Sequence, residues 1–157
     1  MKYYDIVYNN GGWEKITESS ISITNLGFQF GYGVFETIRF NYSDVIAFDR
    51  HLSRMQSSLE TYAIDYLLDP IKLYDIVIDG INKNKAKVGT IKIIITPNED
   101  STEPVLYILF RKIEEVKELP ARVILLNESD YHIKRSNSFH KSLNYIGNYI
   151  ASKHARG

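Results

Sequence analysis

Three short stretches of the chain combine residue types that could do chemistry. In residues 48–55, FDRHLSRM, Arg54 falls in the second turn of an expected helix, where its planar guanidinium could offer a fork of N–H groups to a phosphate. In residues 139–145, FHKSLNY, Lys141 stands in extended chain just ahead of another helical pattern. In residues 27–40, GFQFGYGVFETIRF, glycine-rich backbone leads directly into a strand carrying Glu36 and Arg39, read as sharing a face with Val34. Each stretch is weak alone, and their order and spacing together are the signal. Other groups point away from chemistry. His51 and His154 lie on expected helices, while His132 and His140 share no ligand spacing, so the histidines read as structural or exposed and no metal site is expected. The glycines of residues 27–33 lack the lysine of a phosphate loop and the strand-to-helix order of a dinucleotide fingerprint. Alone they read as a tight turn with aromatic rings packed on backbone.

These residues need elements to position them, and an isoleucine-rich chain with 12 tyrosines favours strands. A first strand is predicted over residues 5–8, stopped by a turn at Asn9-Asn10-Gly11-Gly12, where positive φ is easily reached. Residues 34–40 and 45–48 flank a polar link and predict an antiparallel hairpin. Leu52, Met55, Leu59 and Tyr62 or Ala63 then recur at helical spacing, with Asp49 as the cap. Asp69-Pro70 opens a second helix through Leu73, Ile76, Val77 and Ile81, ending near residues 82–84. Residues 88–96 and 105–113 read as strands, and the run Ile93-Ile94-Ile95 suggests burial on both faces. A charged stretch ending in Pro120 is the candidate linker, followed by a strand over 122–126. Leu143, Ile146 and Ile150 make one apolar stripe of a last helix.

Composition narrows the class of function. The 157 residues, 44% hydrophobic and 24% charged, suffice for one domain of ordinary size with a real core. Nineteen basic side chains balance 19 acidic ones, so nucleic acid is not an expected partner. The absence of cysteine removes thiolate chemistry, disulfides and Cys-ligated metals. The longest apolar run, residues 105–110, is far short of the roughly 20 residues that cross a bilayer. No membrane association and a cytoplasmic location are expected.

The segments GYGVFETIR, HLSRM and HKSLNYIGNYIASKHARG, in that order, resemble the class IV aminotransferases, fold type IV enzymes that use pyridoxal 5′-phosphate. That family includes branched-chain aminotransferases, D-amino-acid aminotransferases and aminodeoxychorismate lyases. The resemblance implies an α+β chain: a small domain over residues 1–113 with an antiparallel sheet and two helices, a linker over 114–120, and the incomplete start of a large cofactor-binding domain over 121–157. It implies that Lys141 forms the Schiff base, which requires an amine made neutral by burial or nearby positive charge and able to shuttle a proton at the substrate Cα. Arg54 matches the arginine that grips the cofactor phosphate. Tyr145 looks like the aromatic bordering the cofactor ring, although it follows the lysine by four residues instead of five. Phe35, Glu36 and Arg39 resemble residues lining the substrate side, and Lys92 sits where branched-chain enzymes often have arginine and lyases can have lysine.

The motif GFQFGYGVFETIR and Lys92 lean toward the lyase, which releases pyruvate from aminodeoxychorismate to give the folate precursor 4-aminobenzoate. The alternatives are a D-amino-acid or branched-chain aminotransferase, or a truncated and inactive binding or dimerisation module. An amino-acid substrate and a homodimer are implied in the enzyme readings. There are departures. Tyr32 stands where many members have aspartate, and Thr96-Pro97-Asn98-Glu99 replaces an arginine-glycine pair that can hold a substrate carboxylate. Family members continue into a second domain that supplies an acidic partner for the pyridine nitrogen and further phosphate donors, so full turnover by this chain alone is not expected.

Overall fold

A strand with one apolar face needs a partner layer, and here two amphipathic helices supply it. The computed structural model describes residues 2–99, 103–113, 123–127 and 139–156. Its strands are β1 (Ile6–Asn9), β2 (Gly12–Lys15), β3 (Val34–Asn41), β4 (Asp44–Val45), β5 (Val88–Thr96) and β6 (Val105–Lys112). The helices among the described residues are α1 (Leu26–Phe30), α2 (Phe48–Thr61), α3 (Pro70–Lys83) and α4 (Ile146–His154). All strand pairs are antiparallel, in the order β2-β1-β6-β5-β3-β4, and the chain is α+β as expected. No helix among the described residues is long and apolar enough to cross a membrane.

The register puts Ile38, Ile91 and Phe110 in one row and Glu36, Ile93 and Ile108 in the next, all fully buried. Leu52, Met55 and Leu59 of α2 and Leu73, Val77 and Ile81 of α3 belong to the same core. Burying an aliphatic side chain of this size is worth about 1.5–3 kcal/mol, so this face carries most of the stability. Asp69 caps α3 by accepting from the backbone N–H groups of Ile71 and Lys72, with Pro70 in the first turn. The first turn of the chain also forms as expected, Asn10 and Gly11 taking φ of 42° and 104° between β1 and β2.

Several expectations need correction. Glu36 and Val34 point to the helices, but Arg39 points away, because side chains on a strand alternate and these positions differ in parity. Ile93 and Ile95 are fully buried whereas Ile94 is only half-buried, so β5 is covered by helices on one side. The second hairpin strand is only Asp44–Val45, because Ala47 adopts a left-handed φ of 54° and turns the chain into α2 at Phe48. Ala47 therefore caps α2, and Asp49 lies inside the first turn, where its charge still favours the helix N-terminus. The glycine-rich segment holds the short helix α1, capped by the Asn25 side chain, and two of its rings lie open to solvent, Phe28 and Phe30 being 68% and 69% exposed, while Tyr32 packs against the core.

Residues 123–126 form no strand, and Arg122 and the expected linker at 114–120 lie outside the described residues. The last helix starts at Ile146, later than expected, and buries Gly147 and Ala151. Its expected stripe residues Ile146 and Ile150 are exposed. Small side chains permit close approach of a helix backbone, which the bulky stripe would prevent.

Candidate active site

The short β4 pairs only with Phe40 and Asn41, leaving the other end of β3's edge open. The segment carrying Lys141 takes that edge. Ser142 bridges to Val34, the Phe35 N–H donates to the Lys141 carbonyl at 3.0 Å, and the Leu143 N–H donates to the Gly33 carbonyl at 2.9 Å. Glycine is required where this segment docks. A Cβ on Gly33 would lie 2.7 Å from the Leu143 Cδ1 and one on Gly27 would lie 2.9 Å from it, so Leu143 fills the space those side chains would occupy. Leu143 was expected in the last helix and serves instead as the plug that seats the lysine segment. A second tie runs from His140, whose Nε2 lies 3.2 Å from the Ser57 hydroxyl and 3.4 Å from that of Thr61, both on α2.

This docking sets Lys141 against β3's outer face. Its Nζ stands 5.6 Å from the Phe35 ring centroid, and the Lys92 Nζ stands 4.7 Å from the same ring. Tyr145 meets Phe35 edge-on at 5.5 Å. The Lys92 amine is held below the usual lysine range, first by burial and then by the positive charge of Arg111. The structure thus brings Lys141, Phe35, Tyr145 and Lys92 together. It does not bring Arg39 to them: Arg39 is exposed at the far end of β3, about 13 Å from Phe35 at strand rise.

Glu36 and Arg54 meet on the opposite face. Glu36 is fully buried in a row of isoleucines, a position that an unpaired carboxylate could not occupy cheaply. Arg54, with its side chain 39% exposed, answers with a two-pronged contact, donating from Nε to Oε1 at 2.6 Å and from Nη2 to Oε2 at 2.5 Å. His51, one helical turn before Arg54, brings its Nδ1 to 2.7 Å from Oε2. Burial is the largest single influence on the Glu36 carboxyl and pushes it up, but the Arg54 and His51 hydrogen bonds and the charges of Arg54 and Lys141 outweigh it and hold it below its ordinary 4.5. The hydrogen bond to Glu36 raises the Arg54 guanidinium against the opposing effect of burial. Sequence reading missed His51, although its three-residue spacing from Arg54 on one helix was a usable signal. Glu36, which the resemblance places on the substrate side of the pocket, is fully buried and braces Arg54 from below.

The two departures from the family pattern have structural roles. The Tyr32 hydroxyl donates to the Tyr62 carbonyl at 2.6 Å, tying the loop after α1 to the end of α2. The Thr96 hydroxyl donates to the Tyr32 carbonyl at 2.9 Å, and the Pro97 carbonyl accepts from the Leu26 N–H. Beside this corner lies an apolar cavity of about 370 Å³ lined by Ile94, Thr96, Tyr107, Leu109 and Leu143. A larger hollow of about 620 Å³, bordered by Phe48, Arg50, Pro70 and Tyr74, lies at the start of α2 and α3 and includes none of the residues around Lys141.

Known proteins resemble this chain in sequence and in fold. A protein of Methanocaldococcus jannaschii, provisionally named a branched-chain-amino-acid aminotransferase, is 23% identical over 154 residues, covering 92% of this chain and 54% of its own length. The crystal structure of the branched-chain aminotransferase of Thermoproteus uzoniensis with norvaline superposes with a TM-score of 0.77 at 18% identity, over 96% of this chain and 56% of that one. The T.th. branched-chain amino acid aminotransferase with pyridoxamine 5′-phosphate gives 0.65 at 14% identity, over 72% and 41%. At these identities the structural likeness establishes the fold. The chain spans about half the length of the relatives it matches. The model of the amino-transferase class IV family matches residues 33–157, a stretch holding Glu36, Arg54 and Lys141, and the chain belongs to that family.

Proposed function

We propose that this chain supplies the small domain and the lysine of a pyridoxal-phosphate-dependent enzyme acting on the α-amino group of an amino acid. One junction carries the reading: the pairing of Ser142 with Val34 sets Lys141 over Phe35, while Glu36, the next residue of that strand, braces Arg54 on the other face. The family is pyridoxal-phosphate-dependent. The donor set suits such a group: an amine for its aldehyde, aromatic edges for its ring, and a guanidinium whose inner N–H pair is taken by Glu36, leaving three N–H groups for a phosphate. When bound, pyridoxal phosphate supplies an electron sink for charge released at the substrate Cα.

Everything else in the reading falls to the side chains. Lys141 in its neutral form is the nucleophile, and once released it takes a proton from the substrate Cα and returns it. Arg54 holds the phosphate by charge-assisted hydrogen bonds, Phe35 and Tyr145 exclude water beside the amine, and Lys92 offers positive charge to a substrate carboxylate. Residues 1–113 form the small domain, joined through 114–120 to the segment 121–157, and two copies associate as a homodimer.

The names of the relatives favour transfer of the amino group to a keto acid, as in a branched-chain aminotransferase. The half-buried Lys92 against Phe35, in place of an arginine, favours the aminodeoxychorismate lyase reaction as the second reading. The deciding experiment titrates the purified chain with pyridoxal phosphate, reduces with borohydride and maps the modified lysine. Saturable absorbance with the label on Lys141, lost in Lys141→Ala, is the expected result. Diffuse labelling of surface lysines would overturn it in favour of a binding or dimerisation module. Pyruvate release against amino transfer to a keto acid then separates the two reactions.

A further inference from the structure

His51, Glu36 and Arg54 form one hydrogen-bonded cluster whose charge depends on a proton. The Nδ1 of His51 sits 2.7 Å from a buried carboxylate oxygen and 3.2 Å from the Arg54 Nη2. At 2.7 Å from an ionised carboxylate the nitrogen must carry hydrogen, since two lone pairs would otherwise face each other. Nδ1–H therefore donates to Oε2, which leaves Nε2 as the position where a further proton would sit. With a neutral ring, Glu36 cancels Arg54 and the cluster has no net charge; with Nε2 protonated it carries +1. Imidazole is the side chain that changes charge near neutral pH.

Resting on the reading of Arg54 as a phosphate grip, we propose that His51 is the proton-dependent positioning residue of that grip: a phosphate monoester binds at Arg54 together with uptake of one proton at His51. Glu36 is what makes this coupling necessary. It fixes the Arg54 fork in place and also cancels its charge, so protonation of His51 restores the positive charge that the fork presents to an incoming dianion. Among the described residues, the charged groups around the imidazole are these. From β3 it faces Glu36 and from its own helix Arg54, and Lys141 acts on the same carboxylate. Its sequence neighbours Asp49 and Arg50 border the separate hollow that includes Asp75 of α3.

The test uses pyridoxine 5′-phosphate, which lacks the aldehyde and so reports on the phosphate grip without Lys141. Its dissociation constant is measured by calorimetry from pH 5.5 to 8.5 for the full chain and for His51→Asn, whose amide can replace the Nδ1–H bond to Glu36 but cannot take up a proton. The ratio of the two constants cancels the ionisation of the probe itself. Wild type should bind about tenfold more tightly than His51→Asn near pH 6 and within about twofold of it at pH 8.5. Glu36→Gln, which removes the neutralising charge, should bind at pH 8.5 more tightly than wild type. A ratio independent of pH would overturn the proton coupling and leave Arg54 as the grip. No binding of the probe by wild type at any pH would overturn both readings.

Discussion

Arg54 and Lys141 stand on opposite faces of one strand and are held in opposite ways. Arg54 is locked by a buried carboxylate through two short hydrogen bonds, which fixes both its charge and its orientation. Lys141 has its backbone sewn to β3, and its amine stands against an aromatic ring with another amine, Lys92, on the same ring. The paired carboxylate makes Arg54 a permanent charge, whereas the docked backbone and the aromatic wall fix where the Lys141 amine stands. The contrast teaches that alternation along one strand can serve two neighbours, Glu36 fixing a cation brought by α2 while Phe35 faces the amine brought by the docked segment.

The sharpest way to break this contrast is to remove the fixed cation. Arg54→Ala leaves Glu36 buried with only His51 as donor, and breaking a buried pair from one side costs about 3–5 kcal/mol in the usual case. About 3 kcal/mol is expected here, because His51 keeps one bond. Urea unfolding of the variant measures it, and a loss below about 1 kcal/mol would show that the Arg54 contact is no stronger than a surface pair. Lys141→Ala, by contrast, should abolish the borohydride label and barely move the unfolding midpoint.

Glu36→Gln comes next, at about 2 kcal/mol near pH 7 for lost hydrogen bonds to a charged group. Its pH dependence sharpens the point. The Glu36 carboxyl is held below its ordinary value in the folded chain, so its stabilisation is fully present above 4.5 and is lost as pH falls through the lowered value. The gap between wild type and Glu36→Gln should therefore close in that acid range. A gap that widened as the pH fell would mean that burial, rather than pairing, governs this carboxyl.

How much of this was legible beforehand follows from what each feature depends on. β5, α3 and the Asn10–Gly11 turn were readable because local chemistry decides them: a run of β-branched isoleucines, an Asp-Pro start, residues that accept positive φ. The family motifs brought Lys141, Arg54, Tyr145, Phe35, Glu36, Arg39 and Lys92 forward; the structure clusters Lys141, Tyr145, Phe35 and Lys92, pairs Glu36 with Arg54, and sets Arg39 apart. The partner of Glu36 was not readable, since it depends on α2 crossing the helix face of β3, a tertiary fact that placed His51 in the same cluster. Leu143 was misplaced for a similar reason. Its helical spacing with Ile146 was real, but the free edge of β3 and the glycines at 27 and 33 claimed it for an extended segment.

The smallest expected effect concerns the second amine on Phe35. Burial and the charge of Arg111 hold the Lys92 amine below the usual range, so its ammonium destabilises the folded chain relative to the unfolded one. That cost is fully present below the lowered folded value and fades as pH rises through it toward 10.5. Lys92→Met keeps the length of the side chain and removes the charge, at the expense of the cation–π contact with Phe35, which is worth about 0.5–1 kcal/mol. The two effects oppose each other, and Lys92→Met should change stability by less than about 1 kcal/mol at pH 7. Any advantage should shrink as the pH rises through the lowered folded value toward 10.5, where wild type sheds its proton. A loss as large as that from Arg54→Ala would mean that the two faces of β3 hold their cations in the same way, and the distinction between a fixed charge and a reactive amine would fall.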